Sequence, residues 1–383
     1  MPWKIMDVRE QRVQFVVAAK RREKPLSALC AEFGISRPTG NVWRKRYGEQ
    51  GLAGIAERSR RPEHSPRHTP PELEEQVVQW RQRYPDWGAR KLQVLLQRQG
   101  VPLTRSTIHR ILLRHDLLRP GDRHEQATER FERAQPNELW QMDFKSPIGW
   151  EAPTGPLSVI DDHSRYVLVL QQTGSTRAEP VQEQLQIAFS ENGLPEGMLM
   201  DHGIPWWSST AATGMTELSV WLMKQGIGLH WSGIRHPQTQ GKVERFHGEL
   251  ERALQRRGWQ GKSAQQWLDE FRWEHNQVRP HEALQMRTPA SVWRPSVRRF
   301  DPQPPRWEYP AGAHVRRLDG DGKLKAYGRN WNIGQALRRE WVQLVAVEDR
   351  VLVYYCRSVV RELDLPKRDA VAVARYLFRQ EEA

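Results

Sequence analysis

The sequence predicts a multidomain chain: an all-α N-terminal third made of two helix-turn-helix units, an α/β core, and a small all-β barrel near the C-terminus. Three observations carry this. Up to about residue 118, apolar residues recur at helical spacing between Gly and Pro breaks. From 137 to 295, strand-like runs alternate with helical ones. Beyond 306, short β-rich runs recur between turn residues. The expected boundaries are 1–56 and 72–118 for the helical units, joined by a basic Pro-rich linker at 57–71. A second linker at 119–136 leads into the core at 137–295, and the β domain spans 306–383.

A chain of 383 residues has room for two to four such domains. Its net charge of +13 points to a polyanionic partner. Residues 1–136 hold 27 Lys and Arg against 16 Asp and Glu, a net +11; the remainder holds 32 against 30, a net +2. Of the 59 basic residues 47 are Arg, which suits phosphate and guanine contacts, although a GC-rich genome accounts for the bias equally well. No apolar run approaches a membrane span and the N-terminus lacks a signal-peptide segment, so a soluble, intracellular protein with no membrane partner is expected. Cys30 and Cys356 lack metal-ligand spacing, which excludes a Cys/His zinc module; His64 and His68 read as linker residues.

Residues 8–20 read as a first helix, followed by 26–33, a turn at Gly34, and a helix from Arg37 to about Tyr47. Ser36 is its cap, and Pro38 is tolerable in its first turn. In this order Arg37, Thr39, Asn41, Arg44 and Lys45 are available to a DNA major groove. The linker, with Arg60 and Arg61, should stay extended, either as an arm along DNA or as a plain spacer. Helices at 72–83, 88–99 and 106–115 make the second unit, the last capped near Thr104 or Ser106. It offers Arg105, Ser106, Thr107, His109 and Arg110 to bases.

In the core, Leu139–Phe144 alternates so that a strand buries Trp140, Met142 and Phe144 and puts Asp143 on the opposite face. Met198–Gly203 is a short apolar run closed by Asp201 and Gly, as where a buried strand opens onto a functional edge. From Gly241 an amphipathic helix sets Val243, Phe246, Leu250 and Leu254 on one stripe, with Glu244 beside it. Two strand-borne Asp and one helix-borne Glu form a hard, all-oxygen set suited to Mg²⁺ or Mn²⁺. Asp161 and Asp162 compete for that role but sit in the turn of the hairpin at 157–170, where Asp serves turn chemistry. His163 and Arg165 read as surface residues of the same hairpin, and Glu249 is a weaker alternative to Glu244. Trp206, Trp207 and Trp231 are either core or stacking platforms for unpaired bases. A further helix is expected at 263–277, with Arg279–Leu284 packed beneath the site.

Asp143 in WQMDF, Asp201 in MDHG and Glu244 in HPQTQGKVERFHGEL resemble the three acids of the integrase-core DDE transposases, related to retroviral integrases. With the helix-turn-helix units the resemblance covers roughly residues 8–295. It implies an RNase H-like catalytic core and, for the C-terminal strands, an SH3-like barrel. It further implies Asp143, Asp201 and Glu244 as catalytic residues and ligands of two Mg²⁺ ions, Mn²⁺ substituting, with Lys242, Arg245 and His247 as phosphate contacts. The implied activity is binding of the inverted repeats of a mobile element, cleavage at its ends, and joining of the 3′-hydroxyl to target DNA. Double-stranded DNA and further copies of the chain, as a dimer or tetramer, would be the partners, in the nucleoid region of a bacterial cytoplasm. A metal-dependent nuclease without strand transfer and a repressor with an inactive core are the rival readings. The chain departs from the family in three places. His202 replaces the usual Asn, and the Asp201–Glu244 gap is long, an excess assigned to Pro205–Gly214. Glu251 stands where many members carry Lys or Arg; it either repels phosphate or pairs with a basic group, and pairing is expected.

Overall fold

The computed structural model describes residues 7–57, 69–118, 132–146, 154–232, 241–348 and 350–364. Arg60 and Arg61 of the linker and His236–Gln240 of the third acidic motif lie outside them. The chain divides into two compact units, Met1–His68 and Thr69–Ala383.

In the first unit, α1 (Val8–Arg21) is capped by Asp7, whose side chain accepts from the Arg9 amide. After α2 (Leu26–Glu32), the Ser36 hydroxyl accepts from the Thr39 amide and opens α3 (Arg37–Gln50), with Pro38 in its first turn. Phe15, Leu29 and Cys30 form the small core, closed by Phe33 and Trp43. Buried Gly40 lets α3 approach α1 and α2: a Cβ there would sit 2.6 Å from Cys30 Sγ and 2.9 Å from the Phe15 ring.

The second unit opens with α4 (Pro71–Arg83), α5 (Ala89–Arg98) and α6 (Arg105–Arg114), the last capped by Thr104. Val77, Trp87, Leu92, Leu96, Ile108 and Ile111 meet in its core. Next comes a five-stranded sheet of order β3-β2-β1-β4-β5. It comprises β1 (Trp140–Phe144), β2 (Leu157–Asp161), β3 (Val167–Gln171), β4 (Gly197–Met200) and β5 (Gly228–Trp231). The first three strands pair antiparallel, and β4 and β5 add in parallel on the other side of β1.

The two-residue period of β1 sorts its side chains. Trp140 and Met142 enter a core with Val181, Leu185 and Phe189 of α7 (Ala178–Asn192), which also takes Leu218 and Leu222 of α8 (Glu217–Lys224). The other sheet face is covered by α9 (Gly241–Arg257) and α10 (Ala264–Trp273). Val243, Phe246, Leu250, Trp267 and Phe271 pack there on Ile160, Val167 and Leu170. Burial of each such side chain contributes roughly 1.5–3 kcal/mol. A π-helical segment, Glu274–Val278, follows α10 directly. It buries His275 and Asn276, and Asn276 hydrogen-bonds both the amide and the carbonyl of Val167.

The C-terminal strands are β6 (Val315–Arg317), β7 (Lys323–Ala326), β8 (Arg329–Asn332), β9 (Trp341–Val347), β10 (Arg350–Tyr355) and β11 (Ser358–Asp364). They form a four-stranded sheet, β11-β10-β9-β6, and a separate pair, β7-β8, around Leu324, Ile333, Val342, Leu344, Val351 and Val353. The domain is all-β, but among the described residues no barrel closes, because β7 and β8 pair only with each other.

Candidate active site

The parallel pairing of β1 with β4 sets Trp140 opposite Met198 and Gln141 opposite Leu199. Continued by two residues, this register brings Asp143 level with Asp201, the first residue past β4. Glu244 lies in the first turn of α9, whose start is tied to β1 by the Val243 amide donating to Gln141 Oε1 at 3.2 Å. Burial, then the negative fields of Asp201 and Glu244, push the Asp143 carboxyl up to about 7 against the opposing pull of the Phe144 amide. Asp143 on β1, Asp201 just past β4 and Glu244 in the first turn of α9 are thus near enough for the two other carboxylates to be felt at Asp143. Among the described residues no three His, Cys, Asp or Glu side chains form a closed ion cage.

Asp201 is held by its own loop: Oδ1 accepts from the Gly203 amide at 2.9 Å and from the Trp206 indole at 2.8 Å. Trp206 is 1% exposed and stacks on Phe144 at 5.7 Å, so it cannot serve as a platform for unpaired bases. Trp207 and Trp231 are partly buried and meet edge to face at 4.8 Å. Pro205–Gly214, to which the sequence reading assigns the extra length, is ordered around Trp206, Trp207 and Thr213. Its Trp206 seals the acidic edge, while Trp207 and Thr213, whose hydroxyl donates to the Ile333 carbonyl, reach the β domain.

Lys242 and His247 do not face outward as expected of phosphate contacts. Lys242 Nζ pairs at 2.5 Å with Asp162, which is fully buried and also accepts from the Gln141 amide group and the Arg133 backbone. His247 is buried, with Nε2 3.0 Å from the Ser158 hydroxyl and Nδ1 3.8 Å from Asp143 Oδ2. Burial, helped by Lys145, pulls its imidazole down to about 3, so at neutral pH it meets Asp143 uncharged. Arg245 alone of the three is exposed. In both cases the inward turn follows from partners far away in sequence. Asp161 is fully occupied by the Ser164 amide and hydroxyl and the Asn137 amide, so it shapes the turn. Arg165, expected at the surface, is largely buried and paired with Glu132 at 3.4 Å.

Glu249 faces away from the acids, 3.2 Å from Arg279 Nε and 3.8 Å from His275. Burial would raise its carboxyl, but Arg279, Lys91 and the two histidines hold it well below the usual carboxylate range. Arg279–Leu284, expected beneath the site, instead meets the second helical unit: Arg279 bonds Asp86 at 2.8 Å, and Asp86 also takes Arg257 of α9 at 2.6 Å. Glu251 pairs with the buried Lys145 at 3.2 Å. On α3, Arg37, Thr39, Asn41, Arg44 and Lys45 are exposed, as are Arg105, Ser106, His109 and Arg110 on α6; Thr107 is half-buried against its cap.

Family models match along most of this architecture. A helix-turn-helix domain matches residues 11–63, a homeodomain-like domain 39–112, and the integrase core domain 133–237 and 225–289. An insertion element IS407 uncharacterized 31.7 kDa protein of Burkholderia multivorans is 25% identical over 213 residues, spanning 53% of this chain and 74% of that protein. The chain thus carries helix-turn-helix and integrase core domains and is similar to a protein of an insertion element. The chain also shares 30% identity over 154 residues with uncharacterized protein K02A2.6 of Caenorhabditis elegans, 39% of this chain but only 11% of that protein. Among solved structures, the HTLV-2 integrase catalytic core domain in complex with magnesium is similar at 16% identity and a TM-score of 0.33, covering 42% of this chain and 97% of that one. The simian T-cell lymphotropic virus intasome is similar at 16% and 0.38, covering 75% and 99%. No helix among the described residues is long and apolar enough to cross a membrane.

Proposed function

We propose that this protein is a transposase that binds the terminal inverted repeats of a mobile element, cleaves at the ends, and joins the 3′-hydroxyl to target DNA, with Asp143, Asp201 and Glu244 as the catalytic acids. The observation that carries this is the β1–β4 register, which sets Asp143 level with Asp201, together with the tie of Val243 to β1 that sets Glu244 in the first turn of α9. Hard oxygen donors gathered this way fit Mg²⁺ or Mn²⁺. Bound there, two such ions supply the positive charge that activates the attacking oxygen and stabilises the leaving one.

The chain's own residues do the rest. Gln141, through the Val243 amide, and the Lys242–Asp162 pair fix the start of α9 and with it Glu244. Trp206 and Phe144 keep water from one side of the acids. His247, uncharged, packs beside Asp143 without neutralising it. The attacking group is water for cleavage and a DNA 3′-hydroxyl for joining, so no covalent enzyme intermediate is needed. DNA is held by Arg37, Thr39, Asn41, Arg44 and Lys45 of α3, by Arg105, Ser106, Thr107, His109 and Arg110 of α6, and by Arg245 beside the acids. Assembly on paired ends makes the working unit a homo-oligomer in the bacterial cytoplasm.

The test is to incubate the protein with labelled inverted-repeat ends, a plasmid target and Mg²⁺. Joined product is expected. Cutting without joining identifies a nuclease, and end binding without either identifies a repressor.

A further inference from the structure

We propose that the indole N–H of Trp206 is a positioning group for Asp201, fixing its carboxylate through Oδ1 and leaving Oδ2 as the oxygen that would serve a metal. This rests on the reading of Asp201 as a ligand. Asp201 is the first residue past β4, so no ladder hydrogen bonds clamp it, and the carboxylate torsion of an Asp is intrinsically broad. Two donors converge on a single oxygen: the Gly203 amide at 2.9 Å and the Trp206 indole at 2.8 Å, both to Oδ1. An indole N–H donates and cannot accept, so it orients the carboxylate without competing for a cation.

The indole is itself immobilised. Trp206 is 1% exposed and stacks on Phe144, the neighbour of Asp143, at 5.7 Å and 11° between planes. The Ser219 hydroxyl donates to the Trp206 carbonyl, and the Trp207 amide donates to the Gly203 carbonyl at 3.0 Å. The loop's far side is pinned to the β domain by Thr213 and Met215. One immobilised ring therefore touches both Phe144 at the end of β1 and the Asp201 carboxylate just past β4. Hydrogen bonds to a ligating carboxylate raise metal affinity by holding it in place, and their loss costs roughly 10–100-fold.

The experiment titrates full-length protein with Mn²⁺ by calorimetry and records thermal midpoints in EDTA. Wild type should bind, and Asp143→Asn should lose that binding. Trp206→Phe keeps the stack and removes the donor; it should bind Mn²⁺ roughly tenfold or more weakly, with its EDTA midpoint close to wild type. In end cleavage its Mn²⁺ requirement should rise while the rate at saturating Mn²⁺ recovers. Wild-type affinity in Trp206→Phe overturns the proposal, whereas wild-type binding that survives Asp143→Asn overturns the site reading instead. If Trp206→Phe is unstable in EDTA, benzothienylalanine at position 206, which keeps the bicyclic ring and lacks only the N–H, decides: weakened Mn²⁺ binding supports the proposal, and unchanged binding overturns it.

Discussion

Reversing the charge at position 251 should not improve the proposed activity, although it supplies the basic residue expected there from the resemblance. Glu251 Oε2 lies 3.2 Å from Lys145 Nζ, with Lys145 9% and Glu251 45% exposed. At that distance and an effective dielectric of about 20, the attraction is about 5 kcal/mol before desolvation. The exposure of Glu251 and the cost of burying Lys145 reduce the net value to about 1–2 kcal/mol, between an exposed pair and a fully buried one. Glu251→Gln should cost that much. Glu251→Lys, which sets two ammonium groups against each other two residues from Asp143, should cost about twice as much. For a unit of this size each kcal/mol lowers the midpoint by about 1–2 °C. The assay pairs thermal melting with strand transfer at two salt concentrations. Lower midpoints and unchanged or weaker transfer are expected. A large, salt-sensitive gain in transfer with an unchanged midpoint would refute the pairing and show Glu251 facing phosphate.

Other outcomes follow from the same geometry. Asp86→Ala leaves the Arg257 and Arg279 guanidinium groups without their shared carboxylate and should destabilise the protein by about 3–5 kcal/mol at pH 7, read by thermal melting. Burial would raise Asp86, but Arg279 and Arg257 hold it below its ordinary range. Its stabilisation is therefore full above the unfolded value of about 3.9 and lost as pH falls through the folded value, so the deficit of Asp86→Ala should shrink below about pH 4. Gly40→Ala pushes a methyl into Cys30 and Phe15 and should cost about 1–3 kcal/mol, seen as early unfolding of the first unit while the second melts unchanged. Arg44→Ala and Arg110→Ala should each weaken end binding in gel shifts; a residue that meets phosphate also lowers the salt slope by about 0.9.

The parts of this account legible in the sequence are those set by local periodicity. The alternation in WQMDF puts Trp140 and Met142 in one core and Asp143 on the other face, and the stripe of Val243, Phe246 and Leu250 buries α9. Ser36 and Thr104 cap as their positions suggest. What stayed hidden depends on partners brought together only by the fold. Lys242 meets Asp162, and Glu251 meets Lys145, across most of the core. Nothing local marks Lys242 and His247 as inward-facing, because a basic residue beside an acidic motif reads the same whether it meets phosphate or a buried carboxylate. Trp206 could be assigned to core or to base stacking from its type alone; its indole bond to Asp201 is a loop geometry that no period encodes. The Asp86–Arg257–Arg279 junction likewise joins three segments that look unrelated in sequence.

The central claim is tested most directly by assaying Asp143→Asn, Asp201→Asn and Glu244→Gln side by side for end binding and for Mg²⁺-dependent cleavage. Each amide is isosteric with the acid it replaces and a weak donor to a hard cation. The account predicts near-wild-type gel shifts with cleavage abolished in all three. Near-normal cleavage by any one of them would contradict it and move that catalytic role to another residue.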